Sequence, residues 1–194
     1  MDGDPLLLNT IFLTATAEIS YWIVFLTLFL VFLNGFFVAA EFAIVKVRSS
    51  QIDVHTNIKK STAKVSKLII DNLDSYLAAT QLGITLASLG LGWVGESVME
   101  SIILAISGGF ISPELASQIS LPLGFVIITV LHIVFGELAP KSLAIQFPTK
   151  TTFAIAWPLR AFFFVFKPVI WLMNSFANFI LRMIGIKPIH GADI

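Results

Sequence analysis

Three long apolar stretches divide the chain, at residues 21–45, 76–94 and 119–135. Only Thr27, Asn34 and Glu41 interrupt the first stretch. At about 1.5 Å per residue, a helix of that length exceeds the ~30 Å hydrocarbon core of a bilayer. The third stretch leads into the sequence GELAP at residues 136–140. Each length fits one crossing, so the pattern predicts an all-α membrane protein with three transmembrane helices in residues 21–150.

A fourth apolar region, residues 151–184, contains Pro158, Arg160, Lys167 and Pro168. Prolines and cations at this spacing favour amphipathic helices at the membrane surface, with a bend between them. We therefore predict a juxtamembrane helical region over residues 151–194. A fourth crossing remains the alternative.

Composition narrows the class of protein. Of the 194 residues, 57% are hydrophobic and only 12% are charged, against roughly 25% charged in an average soluble domain. This argues against a soluble enzyme or a disordered region. There is no cysteine, which removes disulfides, thiolate nucleophiles and Cys-based metal sites. The formal net charge is zero, so no overall basic field would attract nucleic acid, and we expect no nucleic-acid partner.

The positions of the cations predict the orientation. Residues 1–45 and 68–140 contain no Lys or Arg, whereas residues 46–67 hold six and the other six lie at Lys141 and beyond. By the positive-inside rule, the loop at residues 46–67 and the carboxyl terminus are cytoplasmic. Residues 1–20, with Asp2 and Asp4, and the loop at residues 96–118 are then outside. We expect a multi-pass protein of the plasma membrane.

Two acids, Glu41 and Glu137, fall within or at the edge of the predicted spans. Ionisable residues at membrane depth are costly and usually face a cavity or a partner. Glu41 lies seven residues after Asn34, so the two share a face of the first helix about 10 Å apart. The alternatives are that Glu41 is an interfacial acid paired with Lys46 or Arg48, and that Asn34 is a plain interhelical hydrogen-bonding residue.

The second span carries Gln81, Thr85 and Ser88 on one face, continued by Gly92 and Gly95. Such a stripe of small and polar residues is either a close-packing seam between helices or the wall of a pocket.

In the third span, Thr129, His132 and Gly136 share a face, and Glu137 and Pro140 follow. If the helix continues through Pro140, which has no N–H, the carbonyl of Gly136 loses its helical partner. Carboxylate, carbonyl, hydroxyl and amide oxygens are ligands for hard cations such as magnesium. His132 either adds a nitrogen or acts as a structural hydrogen-bonding residue.

Gly35, Ala39 and Ala43 form a seam of small residues on the first helix, which predicts close contact with another helix of this chain or of a second copy. Three spans are few to enclose a pathway, so we expect a homodimer in the bilayer.

Three segments together resemble a known family: NGFFVAAEFAIVKVRSSQI at residues 34–52, QLGITLASLGLGWVGE at 81–96 and FGELAPKSLAIQ at 135–146. They are similar to the transmembrane domain of the CorC/CNNM magnesium transporters, the hemolysin-like proteins. The resemblance covers roughly residues 20–185.

The resemblance implies a dimer with an inward-facing acidic cavity that exports magnesium, with sodium as the exchanged ion. The positions that match the family's cation site are Asn34, Thr85, Ser88, Gly136 and Glu137. Ile84 stands where many relatives have asparagine, which leaves the second-span ligands open and makes Gln81 a substitute. Glu41, Gln81 and His132 are additional candidates along the pathway.

Family members usually continue into cytosolic CBS domains that bind nucleotide. Because this chain stops at Ile194, we expect a transmembrane piece in which nucleotide binding would need those missing domains.

Two other functions compete with magnesium export: a membrane-anchored regulatory or scaffolding module without transport, and transport of cobalt, manganese or zinc. An intramembrane hydrolase is disfavoured because the chain has no HExxH or GxSxG motif, and neither His55 nor His190 falls in a predicted span. We therefore expect no enzymatic activity.

Overall fold

The computed structural model describes residues 5–53, 60–107 and 113–185. Asp2, Asp4, His55 and His190 lie outside these ranges, and within them side chains are described only in part, from residue 21 onward. The described residues form helices: α1 Pro5–Lys46, α2 Ser49–Asp53, α3 Lys60–Asp71, α4 Leu73–Ser107, α5 Pro113–Leu131, α6 Ala139–Gln146 and α7 Pro148–Met183. A seven-residue π-helix, His132–Leu138, joins α5 to α6.

Four helical segments in the described residues are long and apolar enough to cross a membrane: Tyr21–Lys46, Leu73–Gly95, Pro122–Gln146 and Pro148–Met183. The first three confirm the predicted stretches. The third was expected to close at GELAP, but the helix continues to Gln146. α7 is the fourth such segment, where the sequence pattern favoured a juxtamembrane region and left a fourth crossing as the alternative.

The predicted bend between the prolines does not interrupt α7, which runs as one helix through Pro158 and Pro168. A proline removes one backbone hydrogen bond, and packing against neighbouring helices can compensate for that loss. The first half of α7 has such packing, since Ile155, Ala156 and Leu159 are buried against α1, α3 and α4.

α1 lies at the centre and contacts α4, the π-helix, α6 and α7. The main core lies toward its Lys46 end, where Phe37, Ala40 and Ile44 meet Ile69 of α3 and Tyr76 of α4. The long segment between the first two spans therefore contains a packed helix, α3, which contacts both α7 and α1.

The seam of small residues on α1 packs within this chain. Ala39 and Ala43 form a buried cluster with Ala144 of α6. A Cβ on Gly35 would lie 2.9 Å from the Phe135 carbonyl oxygen, which shows how closely α1 approaches the π-helix. This answers which helix the seam contacts.

Candidate ion-binding site

The side-chain amide of Asn34 connects α1 to the π-helix. Its Nδ2 donates a 2.9 Å hydrogen bond to the carbonyl oxygen of Gly136, and Asn34 is only 2% exposed. A Cβ on Gly136 would lie 3.1 Å from that nitrogen, so a larger residue would crowd the contact. The sequence analysis predicted a Gly136 carbonyl without a helical partner, and the structure supplies a partner from another helix.

The π-helix accounts for this arrangement of the third span. The backbone N–H of Ala139 bonds to the carbonyl of Val134, five residues earlier, and Pro140 follows in the first turn of α6. Because Pro140 has no N–H, it cannot satisfy the Gly136 carbonyl. π-helical turns inside helices occur frequently at functional sites.

Ser88 and His132 extend the network. The Ser88 hydroxyl donates to Asn34 Oδ1 at 3.2 Å and lies 3.4 Å from His132 Nε2. Since Ser88 has one proton and gives it to Asn34, its hydroxyl oxygen can accept a proton from His132 Nε2 in the tautomer that carries one there. Asn34, Ser88, His132 and Gly136 thus form one connected group at the meeting of α1, α4 and the π-helix, which we call the inner cluster.

A second polar contact joins the same two helices nearer the Lys46 end of α1. Gln81 Nε2 donates to Glu41 Oε1 at 2.8 Å. Glu41 therefore pairs with Gln81, and the alternative prediction that it pairs with Lys46 or Arg48 is wrong. Each of these residues lies seven positions from its counterpart in the inner cluster, so one antiparallel register of α1 and α4 aligns both contacts.

Two of the predicted site residues stay apart from the inner cluster. The exposed Thr85 hydroxyl donates to the carbonyl of Gln81 on its own helix. The Glu137 side chain is also exposed, and among the described residues its carboxylate has no hydrogen bond or ion pair. One copy of the chain thus brings together Asn34, Ser88, His132 and Gly136, and leaves Glu137 open to the surroundings.

A cavity of about 210 Å³ borders the inner cluster between α4 and α5. Ser88, Thr129 and His132 supply its polar wall. The remainder is formed by small and apolar residues, namely Leu91, Gly92, Gly95, Gly124, Phe125 and Ile128. The predicted stripe on α4 is therefore divided between the two roles. Gln81 and Ser88 bond to α1. Ser88, Gly92 and Gly95 line the cavity, and Thr85 does neither.

Within the described ranges, no three His, Asp or Glu side chains are grouped closely enough to hold a metal ion. The oxygens that converge here come from one amide, one hydroxyl and one backbone carbonyl. Oxygen donors of this kind are ligands that hard cations prefer and soft metals do not.

Sequence reasoning missed the glycine contacts that set the distance between α1 and α4. A Cβ on Gly83 would lie 2.5 Å from the Phe37 ring, and one on Gly90 would lie 3.3 Å from Leu30. Both pairs repeat after seven residues, as the polar pairs do. The sequence signal for these contacts was the seven-residue spacing of Gly83 and Gly90, which cannot be interpreted until the partner helix is known.

Comparison with known proteins places this arrangement in a family. The family model of the cyclin M transmembrane N-terminal domain matches residues 25–193. Over 160 residues the chain is 46% identical to the UPF0053 protein YrkA of Bacillus subtilis, an alignment that covers 82% of this chain and 37% of YrkA. It is 43% identical to the B. subtilis UPF0053 protein YhdT over 165 residues, 84% of this chain and 36% of YhdT.

An uncharacterized protein of Mycobacterium tuberculosis is 33% identical over 172 residues, which cover 88% of this chain and 49% of that protein. The chain thus spans between a third and a half of the length of these curated relatives. With four apolar helices and a family model that matches most of its residues, the chain is a multi-pass membrane protein that belongs to the CNNM (cyclin M, CorC-like) family.

Proposed function

We propose that this chain transports magnesium, exporting it from the cytoplasm in exchange for sodium, with the ion bound at Asn34, Thr85, Ser88, Gly136 and Glu137. The observation that carries the proposal is the buried bond between Asn34 and the Gly136 carbonyl. This bond joins amide, hydroxyl and carbonyl oxygens of three helices into one group within apolar segments, and Glu137, whose carboxylate has no partner among the described residues, directly follows Gly136 in sequence.

Magnesium requires several converging oxygens, because it gives up water reluctantly and prefers six ligands at about 2.0–2.1 Å. The inner cluster supplies Asn34 Oδ1, Ser88 Oγ and the Gly136 carbonyl. For Asn34 and Gly136 both to face an ion, the bond between them must open. The ion would then replace an existing contact instead of filling a rigid cage, which suits a cation that has to leave again.

The Glu137 carboxylate supplies the charge. Its exposure in one copy supports a homodimer in which the two Glu137 side chains border a shared cavity open to the cytoplasm. Glu41, paired with Gln81 two helical turns closer to the cytoplasmic end, lies on the route to that cavity. Sodium competing for the same acids would drive release as the helices rock.

Regulation by nucleotide, if the whole protein has it, would come from CBS domains beyond this chain. In the orientation we propose, residues 1–20 are extracellular and the carboxyl terminus enters the cytoplasm of the cell at its plasma membrane.

The test is magnesium binding and flux with purified protein in liposomes, comparing wild type with Asn34→Ala and Glu137→Ala. We expect each variant to lose binding by at least tenfold, together with flux. Thr27→Ala is the matched control, since Thr27 is buried in α1 but bonds only to the Ile23 carbonyl of its own helix. Unchanged binding in Glu137→Ala, with dimers intact, would show that the site is assigned wrongly.

Sodium coupling and ion choice need separate measurements. Magnesium efflux should stop when external sodium is replaced by potassium, and persistent efflux would favour a channel or another counter-ion. Cobalt and zinc should compete weakly, since the proposed donors are oxygens, whereas manganese, which takes the same oxygen ligands, should compete more strongly. A preference for one of these ions would change the substrate without changing the site.

One observation favours a second function, a membrane-anchored scaffolding module. The Asn34 amide is already hydrogen-bonded on both sides, as it would be in a seam that only holds helices together. That function predicts that Asn34→Ala destabilises the protein while wild type shows no magnesium flux.

A further inference from the structure

An apolar groove of about 670 Å³ lies between α1, the π-helix with α6, and the start of α7. Its walls are almost entirely hydrophobic, with large side chains on each of the three sides. The residues that shape it most are Phe32, Phe36, Phe135, Leu143 and Phe147. From Phe135 to Phe147 the groove follows twelve residues, about 18 Å at the rise of a helix, which is long for a pocket that takes a compact ligand.

One end of the groove is positively charged. Lys150 is the charged residue of its lining, and the ammonium lies 5.7 Å from the centre of the Phe147 ring. In the described part of the chain no carboxylate lies within ion-pair distance of it. α7 also begins here without a side-chain cap, so its first N–H groups add positive potential beside Lys150.

This end belongs to the basic side of the protein. Along α1 the groove runs from Phe32 to Ala39, toward Lys46. Lys141 also lies near the Lys46 end of α1, since its ammonium is 4.5 Å from the Phe42 ring centre. A long apolar channel with a cation at one end matches an amphiphile that has one acyl chain in the channel and an anionic head at the basic end.

We propose that this groove binds an anionic phospholipid of the leaflet at the Lys46 end, with one acyl chain along Phe36, Phe135 and Leu143 and the phosphate at Lys150. Burial of the chain alone gives no preference over bulk lipid, because the bilayer is equally apolar. Selection comes from the headgroup, as in other basic pockets between transmembrane helices.

The groove lies directly behind the inner cluster. Its floor includes Gly35, which directly follows Asn34, and Pro140, which lies four residues after Gly136. A Cβ on Gly35 would lie 2.9 Å from the Pro140 Cγ. A lipid chain in the groove therefore supports the contact between α1 and the π-helix from the outside. Lipid binding itself does not depend on magnesium transport, so it can be tested separately.

The test is photo-crosslinking of the purified chain with phosphatidylglycerol that carries a diazirine on one acyl chain, without magnesium, followed by peptide mass spectrometry. We expect adducts in the segments that line the groove, which are residues 32–39 of α1, the π-helix, α6 and the start of α7. Unlabelled phosphatidylglycerol should compete for this labelling, and phosphatidylcholine should not. Lys150→Ala should lower labelling about fivefold, the weight of one lysine near a membrane surface. Lys64→Ala removes an equally exposed lysine of α3 and should leave labelling unchanged.

A second variant tests the channel itself. Ala154→Phe places a ring into the groove and keeps Lys150, so it should also reduce labelling. Equal competition by phosphatidylcholine, or adducts spread evenly over the apolar helices, would overturn the proposal in favour of ordinary lipid contact. Protection of the groove by a second copy, seen as intermolecular crosslinks at Leu143 or Ala154, would overturn it in favour of a dimer interface.

Discussion

Asn34 and Gly136 are joined by a buried 2.9 Å hydrogen bond across 102 residues of sequence, from a side-chain amide to a backbone carbonyl. The bond holds the π-helix against α1. It also holds two oxygens, Asn34 Oδ1 and the Gly136 carbonyl, within one hydrogen-bonded unit. Structural and ion-binding roles of Asn34 therefore have to be separated by a substitution that removes the donor and keeps the oxygens.

Asn34→Asp is that substitution. The carboxylate cannot donate to Gly136, so two oxygens face each other. Without magnesium we expect the free energy of unfolding to fall by about 1–3 kcal/mol, the cost of leaving a buried acceptor unpaired. Magnesium should restore much of this loss, because a cation between the two oxygens replaces the missing proton. The measurement is the unfolding temperature with and without magnesium, with Thr27→Val as control. A variant that is destabilised equally in both conditions would argue for a purely structural Asn34.

The polar positions of the inner cluster were predictable because each stands out against an apolar span. Their partners were not. The sequence offered Lys46 and Arg48 as partners for Glu41, both close along the chain, yet the packing of α1 on α4 brings Gln81 there instead. One antiparallel register of α1 against α4 sets both pairs, Asn34 with Ser88 and Glu41 with Gln81. Register depends on the match of Gly83 to the Phe37 ring, which is a tertiary contact and leaves no local pattern.

The unbroken course of α7 could not be predicted for the same reason, since it depends on tertiary contacts. Pro158 and Pro168 gave a local reason to expect a break, and proline does remove helical hydrogen bonds. What keeps the helix continuous is packing: Phe163 stacks on Tyr76 with ring centres 4.5 Å apart, and Ile170 is fully buried beside Ala79 and Leu82. Contacts of this kind join residues some 90 positions apart and could not be inferred from residues 151–184 alone.

Gly83→Ala should be strongly destabilising. The added methyl would lie 2.5 Å from the Phe37 ring, which is held by Phe162 at 4.6 Å between ring centres and cannot move aside. We expect a loss of about 1–3 kcal/mol, typical of overpacking, measured by thermal unfolding in detergent. Gly92→Ala is the matched control on the same helix, where nothing lies within 4 Å. Phe37→Leu should partly rescue Gly83→Ala, and equal stability of the two glycine variants would contradict this packing.

Glu41→Gln isolates charge from hydrogen bonding, since a glutamine oxygen still accepts from Gln81. If Glu41 attracts magnesium into the pathway, the KM for magnesium flux should rise about fivefold, near the effect of one unit charge acting over a few ångströms in water. Thermal stability should not change. Asp74→Asn, which removes an exposed acid in the first turn of α4, provides the control. An unaltered KM would leave Glu41 as a structural partner of Gln81 only.

The side of the membrane on which α7 ends can be tested directly, because the chain has no cysteine and any introduced thiol is unique. Arg160, Lys167 and Arg182 fall within about 60° of one another around the helix at 100° per residue. The longest stretch of α7 between two of these cations is shorter than the ~20 residues that a crossing needs. A row of cations on one face is typical of a helix lying in the interface.

We therefore expect Met183→Cys to be labelled from the same side as Ser50→Cys, by a membrane-impermeant maleimide and only after the membrane is opened. Gln118→Cys, an exposed position near the start of α5 in the region assigned to the outside, should be labelled in intact cells and provides the reference. If Met183→Cys reacts together with Gln118→Cys, then α7 crosses the bilayer, the chain has four spans, and the carboxyl terminus is extracellular. A carboxyl terminus outside the cell would also contradict the proposed regulation, which needs domains after α7 to meet cytosolic nucleotide.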